Sequence, residues 1–168
     1  MLDKKIVDLL NSQINREFYS SFLYLDMSNY YYDNSLNGFG NWFGIQTQEE
    51  YAHAMLFVKY LQNNGEKVVL DTIAKPGIEF TNFKQALDEA YQHELFISKS
   101  INDIYGAAYE LKDFKTMQFL DWFVKEYAAQ CKHKLDMGKS CIRFKKMDDI
   151  PYKLIGELMK KMTVKKWV

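Results

Sequence analysis

Apolar residues recur at the three-to-four spacing of a helix through most of the chain. Ile6, Leu9, Leu10, Ile14, Phe18, Phe22, Leu25 and Met27 mark the first such segment, which predicts a helix from about Lys4 to Asp33. The turn residues of DNSLNG interrupt it. A second segment runs from about Leu36 to Asn64, where NNGE closes it in the manner of a helix C-cap. The stretch KVVLDTIAKPGIEFTN then holds Pro76 and Gly77 and has no helical period. After a cap at Thr81 or Asn82, a third helix is expected from about Phe83 to Leu111. Lys112 and Asp113 form a short turn into a fourth, which the periodicity carries to about Lys146. A last short segment spans Ile150 to about Met162.

Helices of about 28 residues are each about 42 Å long. Two tight turns make two antiparallel hairpins. The connection of about 18 residues between them is long enough to travel the length of a bundle and bring the third helix in parallel to the second. The predicted fold is therefore all-α: a four-helix bundle over about 4–146 with one long crossover, and a short C-terminal fifth helix over about 150–162. All 168 residues suit a single domain with a sizeable core.

Composition narrows the function. The 22 basic residues balance 22 acidic ones, so there is no general electrostatic reason to bind nucleic acid or a membrane surface. No apolar run reaches transmembrane length, and MLDKKIVDLL is too charged for a signal peptide. Cys131 and Cys141 have no CxxC spacing and fall in a stretch that reads as helical; they are expected to be buried, reduced thiols in a cytoplasmic protein.

The candidate chemistry begins with EEYAH at residues 49–53. Glu50 and His53 stand three apart, so a helix puts carboxylate and imidazole on one face, where they can hold a metal. Such a pair alone is common on solvated helices. The first helix adds Glu17, in QINREFYSSFLYLD, and the third adds Glu94, in YQHELF, 77 positions later. If the hairpins are related by a pseudo-twofold axis, the same offset from Glu50 and His53 leads to Tyr127 and Gln130. Three quarters of a symmetric dimetal site is present and the last quarter is altered. His93 adjoins Glu94 and points elsewhere on its helix, which suits hydrogen bonding better than ligation.

From end to end the chain resembles a non-haem bacterial ferritin of the ferritin-like di-iron superfamily. The resemblance is carried by REFYSSFLY around Glu17, QEEYAHAM around Glu50, YQHE ahead of Glu94 and FLDWFVKE around Trp122. It implies that Glu17, Glu50, His53 and Glu94 are ferroxidase ligands and that Tyr24 is the tyrosine kept near the site. The fourth helix departs from the family's Glu-Gln-x-Glu-Glu, with Glu126, Tyr127, Ala128, Ala129 and Gln130 in its place. Gln130 is left as a candidate donor through its amide oxygen, a weaker cation ligand than a carboxylate.

The resemblance implies intracellular iron storage. Fe(II) would be oxidised by dioxygen or peroxide at a di-iron centre with a weakened second position, and Fe(III) mineral held in a cage of twenty-four identical subunits. Tyr51 follows Glu50 where a haem-binding methionine would stand in a bacterioferritin, so no haem is expected. Two other readings use the same residues. One is a cage-forming subunit with a degenerate site and little ferroxidase activity; the other is a small di-metal oxidase that does not store iron.

Overall fold

The computed structural model describes residues 1–131 together with Met137–Gly138 and Cys141–Ile142, and side chains as far as Lys125. Helix α1 spans Lys4–Asp33, α2 Asn37–Asn63, α3 Phe83–Glu110 and α4 Phe114–Cys131. The first three begin and end within two residues of the positions that periodicity predicts. Asp3 starts α1 by accepting the Lys5 N–H at 2.8 Å, and Asn82 starts α3 by accepting that of Gln85 at 3.0 Å.

The first three helices end in the same way. After α1, the N–H of Ser35 returns to Tyr32 O and that of Leu36 to Tyr31 O. Gly65 and Glu66 repeat the pattern after α2, and Lys112 and Asp113 after α3. This is the Schellman closure, which needs a left-handed residue after the C-cap. Gly65 adopts it without strain at φ 71°, while Ser35 and Lys112 are forced into it at 60° and 55°. Asp113 then caps α4, accepting the Thr116 N–H at 3.0 Å.

The crossover, residues 64–82, climbs the outside of α1. Glu66 accepts from the backbone N–H of Leu2, Val69 donates to Asn11 Oδ1, and Asn15 donates to the carbonyls of Asp71 and Thr72. Its far end reaches the last turns of α1, where Phe80 packs on Tyr30 and the Tyr31 hydroxyl donates to Phe83 O. Helix α3 therefore starts beside the end of α1 and runs back along it, parallel to α2, as expected.

The core has two apolar clusters. One gathers Ile6, Leu10, Ile14, Phe57, Leu61, Ile97, Ile101, Ile104, Leu120 and Phe123. The other gathers Leu23, Tyr24, Met27, Tyr31, Phe43, Ala86 and Ala90. On α1, α2 and α3 alike, the positions between the clusters are polar: Glu17 and Ser20, Glu50 and His53, His93 and Glu94. Met1–Tyr127 form one compact unit around this arrangement.

The fourth segment departs from expectation. Met137–Gly138 pairs antiparallel with Cys141–Ile142 in a two-residue ladder, so the helix does not run unbroken to Lys146. Gly138 is a weak helix former and Ile142 is β-branched, and apolar spacing alone is blind to both preferences. Cys141 is thus in a strand, not on a helix. The fifth helix predicted for 150–162, and the burial of both cysteines, lie outside the described residues.

Candidate metal centre

Helical spacing brings Glu50 and His53 to one face of α2, with His53 Nδ1 3.5 Å from Glu50 Oε2. Helix α1 adds Glu17 from the facing side. One ligand atom from each of Glu17, Glu50 and His53 lies within 4.8 Å of the others, and all three residues are buried. Among the described residues, no other cluster of three or more carboxylates, thiols and imidazoles comes close enough to share an ion. Two carboxylates and an imidazole suit divalent iron, zinc or manganese.

The electrostatics point the same way. Burial pushes the Glu17 carboxyl well above its usual range, and the neighbouring negative charge of Glu50 pushes it further. Two carboxylates so close and so dry are unfavourable until a cation or a proton stands between them.

Glu94 enters from α3, half-buried, and accepts the Tyr24 hydroxyl on Oε1. It is not among the three residues that share a metal-sized space; the structure places it beside Tyr24. Next to it, His93 turns away, its Nε2 2.7 Å from Ser20 Oγ. Its ring lies against Tyr19 and edge-on to Tyr24. Burial lowers the His93 pKa to about 4, so the ring is neutral at physiological pH. Helix α4 supplies an aromatic wall, with Trp122 and Phe123 edge-on to the His53 imidazole at 5.5 and 5.8 Å. Tyr127, Ala129 and Gln130 lie further along α4, and their side chains are outside the described residues.

Sequence reasoning missed a set of polar residues behind Glu17. Gln13 is fully buried and its Nε2 donates to Glu17 Oε1 at 2.7 Å. Behind it, Ser100 donates to Gln13 Oε1 and accepts from Arg16. A glutamine one helical turn before a candidate ligand was a usable signal for the first of these.

The sequence profile of the ferritin-like domain family matches residues 7–141. The chain belongs to that family. It is 40% identical over 126 residues to the bacterial non-heme ferritin of Campylobacter jejuni, covering 75% of each chain. It is 36% identical to a probable bacterial non-heme ferritin-like protein of Haemophilus influenzae, covering 75% of this chain and 76% of that one. Among solved structures, Chlorobium tepidum ferritin is similar at 39% identity with a TM-score of 0.75, over 76% of this chain and 78% of that one. The open-pore ferritin of Archaeoglobus fulgidus matches at 38% identity with a TM-score of 0.74, over 76% and 79%. Membership thus rests on the match of residues 7–141, which include Glu17, Glu50, His53 and Glu94, and on relatives and structures alike over three quarters of the chain.

Proposed function

We propose that this ferritin-family chain stores iron in the cytoplasm as a subunit of a twenty-four-membered cage, and that it oxidises Fe(II) on the way in. Glu17, Glu50 and His53 bind the first iron, and Glu50 bridges to a second that Glu94 and Gln130 help to hold. Two Fe(II) ions give one electron each to dioxygen, which with two protons leaves as peroxide. The carboxylates favour Fe(III) over Fe(II), which makes oxidation downhill, while the single imidazole keeps affinity for Fe(II). Fe(III) then passes to the shared cavity. One observation carries the reading: a buried Glu-Glu-His group in a chain of this family.

The test is an anaerobic Fe(II) soak followed by diffraction, with size-exclusion chromatography of the same sample. Iron density should rise first at Glu17, Glu50 and His53, and the protein should elute as a very large particle. His53→Ala should weaken that position most, because it removes the only imidazole. Equal occupancy beside Gln130 overturns the ranking of the two positions, and elution as a single bundle sinks the storage reading.

A second reading is favoured by the altered fourth helix. With Gln130 where the family carries a carboxylate, the two irons face one negative charge fewer, and Ala129 removes a second carboxylate beside it. In a dry interior that deficit weakens the second position by several kcal/mol, on the order of the cost of an uncompensated buried charge. The subunit would then form the cage and oxidise slowly. Gln130→Glu with Ala129→Glu should speed the ferric absorbance in stopped flow at matched iron loading. If the unmodified protein is already as fast as that double variant, the substitutions are harmless.

A further inference from the structure

We propose that Arg16, Ser100 and Gln13 form a hydrogen-bond relay that fixes Glu17 as a one-oxygen ligand, occupying its Oε1 and presenting Oε2 to the metal. The inference rests on the reading of Glu17, Glu50 and His53 as the metal group.

The direction of the relay follows from its outer end. An arginine side chain has only donors, so the Arg16 guanidinium must donate to Ser100 Oγ. The Ser100 hydroxyl has one proton, and it goes to Gln13 Oε1. That fixes the Gln13 amide with its carbonyl toward Ser100 and its Nε2 toward Glu17, where it donates to Oε1 at 2.7 Å. Turned the other way, the amide would set its carbonyl oxygen against the ionised carboxylate that a metal requires, two acceptors with no proton between them.

Burial makes the arrangement consequential. Gln13 and Glu17 are fully buried and Ser100 is 4% exposed, so water cannot replace a missing member. Arg16 is half-buried, with its guanidinium 5.4 Å from the centre of the Phe96 ring, a contact that holds the donor in place. Gln13, Arg16 and Glu17 fall three and four apart on one face of α1, and Ser100 answers from α3. Oε2 is itself buried. A carboxylate free to rotate can offer a metal one oxygen or two. Here one oxygen is already taken, by a donor whose orientation is set two hydrogen bonds away. Arg16, Ser100 and Gln13 are therefore positioning residues, acting through Glu17.

The test uses Co(II) as a redox-stable stand-in for Fe(II), titrated without oxygen into the assembled full-length protein. The visible d–d band reports coordination number, and its loss in His53→Ala identifies the band of this site. Gln13→Leu and Ser100→Ala should each bind Co(II) about 10–100-fold more weakly. Their d–d bands should be weaker, as the released Oε1 adds a ligand. Because the three residues act in series, the double variant should bind no more weakly than Gln13→Leu alone. Ser100→Thr, which keeps the hydroxyl, should restore both affinity and spectrum.

If Gln13→Leu does not fold, Arg16→Met carries the test from the half-buried end and should change the band in the same sense. Folded variants with the affinity and spectrum of the starting protein overturn the relay. Losses that simply add in the double variant do so too. A starting protein that shows no Co(II) band at all takes the metal reading down with it.

Discussion

Glu17 meets two opposed demands. A metal needs it ionised, and burial beside Glu50 favours its protonated form. A carboxyl whose pKa is raised by folding keeps its proton at pH values where the unfolded chain has lost it. Its contribution to stability is complete below the unfolded value near 4.5 and is lost as pH rises toward the folded value. Glu17→Gln should remove that dependence: its amide keeps the shape, accepts from Gln13 and donates toward Glu50. In metal-free protein the variant should melt with the parent at acid pH and become more stable than it as pH climbs. The advantage at neutrality should be about 1–3 kcal/mol, the scale of a poorly solvated buried group. Thermal unfolding across that range, with chelator present, decides it; a variant less stable than the parent at neutral pH would show that the buried charge is well accommodated. Metal should reverse the ranking, since only the parent binds it. Glu50 and His53 were legible in the sequence because helix geometry ties spacing to facing, and Glu17 through its 77-residue offset from Glu94 and the family resemblance. Gln13 carried a usable signal, one turn before Glu17, but the orientation of its amide did not, because that depends on a serine 87 positions away.

At the scale of the element, the turns carry information that apolar spacing does not. Periodicity locates α1, α2 and α3 closely because each buries a continuous stripe. It says nothing about backbone hand at their ends, where Ser35 and Lys112 sit left-handed in closures that Gly65 fills without strain. Ser35→Gly and Lys112→Gly should each stabilise the protein by about 0.5–1 kcal/mol, the left-handed penalty less the extra freedom glycine brings to the unfolded chain. Denaturant midpoints at unchanged slope would measure the gain; no gain at either site would mean that the serine and lysine side chains offset the strain. The same blindness explains the fourth segment. Apolar residues continue past Cys131 at helical intervals, so the pattern ran on to Lys146, although a glycine lies within it. The crossover was legible in length but not in path, since Asn11 and Asn15 hold it through backbone groups that have no sequence signature.

For the whole molecule, one surface stands out. Phe22, Leu25, Tyr51 and Met55 are all 40% or more exposed, and Phe18 packs on Tyr51 across the α1–α2 seam. If the chain assembles as proposed, this apolar stripe is a natural contact between copies. Phe22→Glu with Tyr51→Glu should then shift elution from a cage to small species while the helical signal and melting cooperativity remain; a cage that forms regardless places the contact elsewhere.

All three members of the Glu17–Glu50–His53 group come from the first hairpin, residues 4–63, whereas Glu94 arrives only after the crossover. In folding time, the Glu17–Glu50–His53 group thus belongs to an early part and Glu94, the ligand proposed beside it, to a late one. Local pairing precedes distant pairing, since closing the long loop costs entropy before any contact returns it. A metal ion bound as proposed can therefore meet Glu17, Glu50 and His53 while α3 is still finding its place, and can act on the order of events as well as on the finished fold. Zn(II) in a refolding buffer should accelerate folding more than it slows unfolding, the mark of a contact already made at the barrier. Were zinc to act on unfolding alone, the ligands would meet only after the bundle has closed.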